Sequence, residues 1–172
     1  MAFDVHEIFT ALDKVQVRYV VVGGLAVILH GHIRLTQDLD LVIDLEPGNC
    51  RKALAALEGI GLKPRLPVVM QDFADPRKRE DWYQNRHMQV FQLWDPRNPQ
   101  RSIDVFVREP LKFADLWRDS VVKVYDGMTI RIASIAHLIA MKSGTQRVRD
   151  RDDIEKLQEI QRQLSGSEST SP

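Results

Sequence analysis

Between Tyr19 and Asp44 the chain reads YVVVGGLAVILHGHIRLTQDLDLVID, and the two aspartates near its end constrain the fold more than any other feature. Asp38 and Asp40 flank Leu39 at the mouth of an apolar run, so in a strand both project from one face. Carboxylates held side by side resist ionising, because burying two like charges close together costs several kcal/mol. A hard divalent cation such as Mg²⁺ removes that conflict. The segment RSIDVFV offers a third carboxylate: Asp104 stands alone among Ile103, Val105, Phe106 and Val107. A charged residue in such a run needs a reason, and metal binding supplies one.

The flanking sequence predicts an α+β fold, a small mixed β-sheet with packed helices in one or two lobes. Val5, Ile8, Phe9 and Leu12 recur at helical spacing, and Tyr19 to Val22 is a β-branched run suited to a buried strand. Gly23 and Gly24 then open a short helix, Leu25 to His30, whose backbone amides can face a phosphate; on spacing alone the pair also reads as a plain strand-to-helix turn. Leu39 to Ile43 reads as a strand, and Pro47 starts a helix that Gly59 and Gly61 end. Met88 to Trp94 and Ser102 to Val107 read as strands joined by DPRNPQ, which would put Asp104 beside the first two aspartates. Pro110 is expected to open a helix carrying Leu111, Phe113, Leu116 and Trp117. Asp126-Gly127 marks a hairpin between Val121 to Tyr125 and Met128 to Ile132. Two helices close the chain, Ile135 to Lys142 behind the N-cap Ser134 and Asp152 to Leu164. Arg65 to Asn85, with its PRKRE cluster, reads as a mobile loop near the cleft. Trp82, Trp94 and Trp117 read as core or cleft-wall residues.

At 172 residues the chain suits a single domain over 1–164, with 134–164 as a small helical subregion and 165–172 as a disordered polar tail. Its 24 basic and 24 acidic residues balance, so no global field draws it to nucleic acid or to an anionic membrane. Cys50 has no cysteine partner, no apolar window is long enough to span a bilayer, and the amino terminus lacks the basic start of a signal peptide. These features predict a cytoplasmic protein with no membrane partner.

The order Gly23, Gly24, His30, Gly31, Arg34, Thr36, Asp38 and Asp40, followed by an isolated Asp104, resembles the nucleotidyltransferase superfamily typified by DNA polymerase beta. Its closer likeness is to the AbiEii-type nucleotidyltransferases, the toxins of type IV toxin–antitoxin pairs. Lys142, Arg147, Asp150 and Asp153 look like a second block of that pattern, so the resemblance spans about residues 5–160. It implies a metal-dependent, pyrophosphate-releasing enzyme that moves a nucleoside monophosphate from a triphosphate such as ATP onto an RNA end, such as a tRNA, or onto a protein hydroxyl. A toxin role with a cognate antitoxin goes with it.

In that reading Asp38 and Asp40 hold two Mg²⁺ ions, one shared with Asp104, which acts as general base or orients the acceptor hydroxyl. Gly23 and Gly24 let the backbone approach the triphosphate, and Arg34, Thr36 and Lys142 contact its oxygens. Lys142 also reads as an ordinary lysine snorkelling from an apolar helix, and Arg147 to Asp153 as the solvated first turns of another. His30 and His32 read as turn residues rather than metal ligands. Two further functions compete: a nucleotide- or partner-binding module of the same fold without turnover, and a two-metal phosphohydrolase. An intact set of Asp38, Asp40 and Asp104 disfavours the first, and the glycine pair disfavours the second.

Overall fold

The computed structural model describes residues 5–145 and 147–168. Tyr19–Val22 (β1) is buried at all four positions, as a β-branched strand covered on both faces must be. It pairs antiparallel with Leu39–Ile43 (β2) and parallel with Met128–Ile132 (β7). β2 in turn runs parallel to Asn98–Phe106 (β5). Lys63–Pro64 (β3), Val90–Asp95 (β4) and Val121–Tyr125 (β6) complete a seven-stranded mixed sheet in the order β3-β4-β5-β2-β1-β7-β6. The two aspartate-bearing strands are therefore adjacent near its centre.

Helices cover the sheet. His6–Lys14 (α1) turns Ile8, Phe9 and Leu12 inward and packs on Pro47–Gly59 (α3), which Pro47 starts and the Glu46 side chain caps by accepting from Asn49 N–H. Gly23–Leu29 (α2) packs on Ile135–Ser143 (α6), and α6 on Val148–Glu168 (α7). Ser134 caps α6 by accepting from His137 N–H, and Asp126 and Gly127 both take positive φ in the β6–β7 hairpin, as a type I′ turn requires.

Four expectations need correction. Arg65 to Asn85 is not a mobile loop: it folds as a 3₁₀ turn, Met70–Ala74, and the helix Pro76–Arg86 (α4), with Asp75 as N-cap. Trp82 of α4 is buried and stacks on Phe91 at 5.3 Å, beside a buried Arg79 whose guanidinium donates to the Phe73 carbonyl. The apolar stripe that would announce this helix is missing because an arginine fills part of its buried face. Pro110 does not open the next helix, Phe113–Arg118 (α5); its first hydrogen bonds return to the Lys112 carbonyl, so the turn begins after Leu111 has packed inward. The DPRNPQ turn is shorter than expected, since β5 already starts at Asn98 opposite Asp95. α7 begins before Asp152 and continues past Leu164 to Glu168, with the Ser165 hydroxyl donating to the Gln161 carbonyl at 3.0 Å, so the first residues of the expected tail are helical. Residues 169–172 of that tail lie outside the described residues. No helix among the described residues is long and apolar enough to cross a membrane.

Replacing Trp82 by alanine removes a fully buried ring from beneath β4. The substitution is expected to lower the unfolding free energy by about 3–5 kcal/mol, measured by urea denaturation; a change within experimental error would show that α4 is peripheral to the core.

Candidate active site

The strand register sets the site. Val22 of β1 lies opposite Asp40 of β2, Asp40 opposite Asp104 of β5, and Asp104 opposite Gln92 of β4, so four residues form a row across the sheet. Asp38 stands just before β2, and its Oδ1 accepts from the Ser102 hydroxyl. Asp104 Oδ1 accepts from Gln92 Nε2 at 3.0 Å. All three expected aspartates line one cleft of about 470 Å³, together with Gly23, Gly24, Arg34, Thr36 and Lys142.

Both glycines are required by close approach. Gly23 has φ +63°, and a Cβ there would fall 1.9 Å from Asp40 Oδ2. A Cβ on Gly24 would fall 2.4 Å from Thr36 Oγ1, and the Gly24 N–H donates to the Asp40 carboxylate. The Thr36 hydroxyl itself donates to the Asp38 carbonyl at 3.3 Å, which ties the loop before β2 to the aspartate it delivers.

Burial, then the charges of Asp104 and Asp38, push the Asp40 carboxyl up to about pH 7, against the Gly24 amide and the more distant Lys142. Burial also raises Asp104, with the charge on Asp38 adding to it and the Gln92 hydrogen bond opposing it. The row is thus short of positive charge. Asp38, Asp40 and Asp104 are three hard oxygen donors, of the kind Mg²⁺ takes, lining one cleft, and their oxygens do not all lie within 4.8 Å of one another.

The other wall is an ion-pair knot. Lys142 Nζ is buried and sits 2.8 Å from both Asp150 and Asp153, and the Arg34 guanidinium pairs with Asp153. Thr145 Oγ1 donates to Asp150, whose carboxyl is held below the usual range: burial opposes this, but the Lys142 and Thr145 hydrogen bonds outweigh it. Asp150 and Asp153 are therefore not solvated first-turn residues of α7, and Lys142 does not simply snorkel to water. His32 Nε2 approaches Asp152 at 3.3 Å and Asp153 at 3.7 Å; among the described residues these three are the one set of three or more His, Cys, Asp or Glu whose ligand atoms all lie within 4.8 Å of one another. Asp153 is already engaged by two cations, which marks that set as part of the knot. His30 ties the end of α2 to the Ala133 carbonyl at 2.8 Å.

Gln92, Ser102 and Arg149 are neighbours of the site that sequence reasoning did not find, and Arg147 is one that it matched to the family's second block without giving it a role. Gln92 carried the same signal as Asp104, a lone polar residue in an apolar strand, and Ser102 precedes Asp104 by two and so shares its face. Arg147 and Arg149 line the cleft as exposed guanidinium groups beside Lys142. Trp82 and Trp94 lie away from the cleft lining, and Trp117 packs against the guanidinium groups of Arg18 and Arg131.

A family model described as nucleotidyltransferase of unknown function (DUF6036) matches residues 2–165. Among solved structures, the fold is similar to that of the lincomycin-bound lincosamide antibiotic adenylyltransferase LnuA, with a TM-score of 0.58 and 20% identity over 90% of this chain and 96% of that one. It is also similar to ANT(2")-Ia in complex with adenylyl-2"-tobramycin, with a TM-score of 0.54 and 16% identity over 95% of each chain. No curated protein matches the sequence.

Asp40 makes stability depend on pH. Folded, it keeps its proton to about pH 7; unfolded, it loses it near pH 4, so its contribution is fullest below pH 4 and falls as pH rises through that window. In Mg²⁺-free buffer, Asp40→Asn is expected to raise the thermal midpoint at pH 8, by a free energy of at most ~4 kcal/mol, and to leave it nearly unchanged at pH 4. Scanning calorimetry at both pH values checks this; a variant less stable than the native chain at pH 8 would contradict it.

Proposed function

The chain belongs to the nucleotidyltransferases of unknown function, and from that premise we propose that it transfers a nucleoside monophosphate from a nucleoside triphosphate to a hydroxyl of a small molecule. The carrying observation is the row of Asp40 and Asp104 abreast at the sheet centre, with Asp38 beside them and a glycine turn against Asp40. A cleft of about 470 Å³ accommodates one nucleotide. The two enzymes of similar fold act on antibiotics, lincomycin and tobramycin, which favours a small acceptor.

Asp38, Asp40 and Asp104 would hold Mg²⁺, which when bound neutralises them, acidifies the acceptor hydroxyl and offsets charge on the departing pyrophosphate. The chain's own groups do the rest. The side-chain-free turn at Gly23 and Gly24 admits phosphate oxygens close to backbone. Arg34 and Lys142, held in place by Asp150 and Asp153, present their remaining N–H groups to the triphosphate, with Arg147 and Arg149 adding charge at the same wall. Thr36 keeps Asp38 in position through its carbonyl. Asp104 uses Oδ1 for Gln92, so Oδ2 is the atom that takes the acceptor proton. The acceptor oxygen then bonds to the α-phosphorus, the bond from that phosphorus to the bridging oxygen breaks, and pyrophosphate leaves with the electron pair.

An RNA or protein acceptor, a toxin role and a cognate antitoxin rest on the motif resemblance to the AbiEii type alone. They would be supported by label appearing on RNA or protein rather than on a small molecule.

With each α-labelled ribonucleoside triphosphate, Mg²⁺ and a cell extract fractionated by size, the native chain is expected to transfer label. Asp104→Asn should reduce transfer about 100-fold or more while calorimetry still detects nucleotide binding. Absence of nucleotide binding in Mg²⁺, or full activity in Asp104→Asn, would refute the reading.

A further inference from the structure

The cleft continues beyond β5 toward β4 and β3. A hollow of about 350 Å³ shares Gln37 and Asp38 with the cleft and adds Arg65, Gln92, Gln100 and Ser102. A second, of about 530 Å³, shares Arg65 and Gln92 with the first. Val90 lines it on the same face of β4 as Gln92, with the exposed Leu66 and His87 at its rim. No lining residue of this outer hollow is acidic.

Arg65, an exposed residue, belongs to both hollows. Its backbone N–H donates to the Gln92 carbonyl at 2.9 Å, and its guanidinium lies 5.3 Å over the Trp94 ring. Among the described residues it forms an ion pair with no carboxylate, yet its charge reaches Asp104. Gln92 therefore links the cation and the catalytic row directly, its backbone to Arg65 and its side chain to Asp104.

We propose that these hollows are the acceptor site, and that Arg65 selects an acceptor bearing a carboxylate or phosphate on an apolar frame, its hydroxyl placed beside Asp104. The inference rests on the transfer reading above and goes beyond it in naming the acceptor class. An anion placed against Arg65 forms a charge-assisted hydrogen bond on an aromatic-backed guanidinium, while the hydrocarbon part covers Leu66 and Val90. A polycation finds no counter-charge past Asp38 and is repelled by Arg65. The transfer keeps the balance already given: the hydroxyl proton goes to Asp104, the oxygen to phosphorus, and pyrophosphate leaves.

Four phenols of matched shape test this on the full chain by ligand-observed NMR, with Mg²⁺ and a non-hydrolysable ATP analogue: 4-hydroxyphenylacetate, 4-hydroxybenzylphosphonate, 4-hydroxyphenylacetamide and tyramine. The two anions are expected to bind at least about tenfold more tightly than tyramine, and the stronger of them identifies carboxylate or phosphate. Arg65→Gln should abolish the preference and leave nucleotide affinity within about twofold. Equal binding of anion and cation, binding by none of the four, or a preference that survives Arg65→Gln overturns the proposal. An anion preference without any nucleotide binding would sink the transfer reading and leave the groove assignment standing.

Discussion

Like charge at the centre of the sheet is the constraint on which the rest of the structure depends. The pairing of β2 with both β1 and β5 sets Asp40 beside Asp104, and a single-residue slip of β2 would turn its side chains to the other face. Burial of β1 and of the apolar positions of β2 holds that register, so hydrophobic packing keeps together two carboxylates that electrostatics would separate. Gly23 completes the arrangement by having no side chain where Asp40 needs room.

The opposite wall is organised by opposite charges. Asp153 lies at 1% exposure between Arg34 from the loop before β2 and Lys142 from α6, and Asp150 holds Lys142 from a second side. A buried charge without partners would cost several kcal/mol, so these groups specify how α7 docks on α6 and on the loop. Two aspartates against Arg34 and Lys142 leave that wall near neutrality, with Arg147 and Arg149 as its exposed positive charge. The same helix that closes the fold thereby positions cations at the cleft.

Where the sequence was hard to read, the missing signal has a physical cause. α4 buries Arg79 and Trp82 instead of an aliphatic stripe, so its period is invisible, although Asp75-Pro76 is an N-cap followed by an N1 proline. Gln92 and Ser102 matter only because β4 and β5 pair in a register that aims them at Asp104 and Asp38. Asp150 and Asp153 sit in a run of alternating charges, the pattern of any solvated helix start, until α7 packs against α6 and buries both.

By itself the sequence determined the local elements and the chemistry available: the β-branched strands, the Asp-Gly hairpin, the glycine pair, and three carboxylates in or beside apolar runs. These depend on neighbours a few residues apart, so spacing reveals them. Only the tertiary structure decided which side chains share the cleft with those carboxylates, how Lys142 and Arg34 are held, and that Arg65 stands beside Gln92. Such contacts join residues far apart along the chain, Arg34 and Asp153 lying 119 positions from each other. Strand order and helix docking set them, and periodicity along the chain carries no record of either.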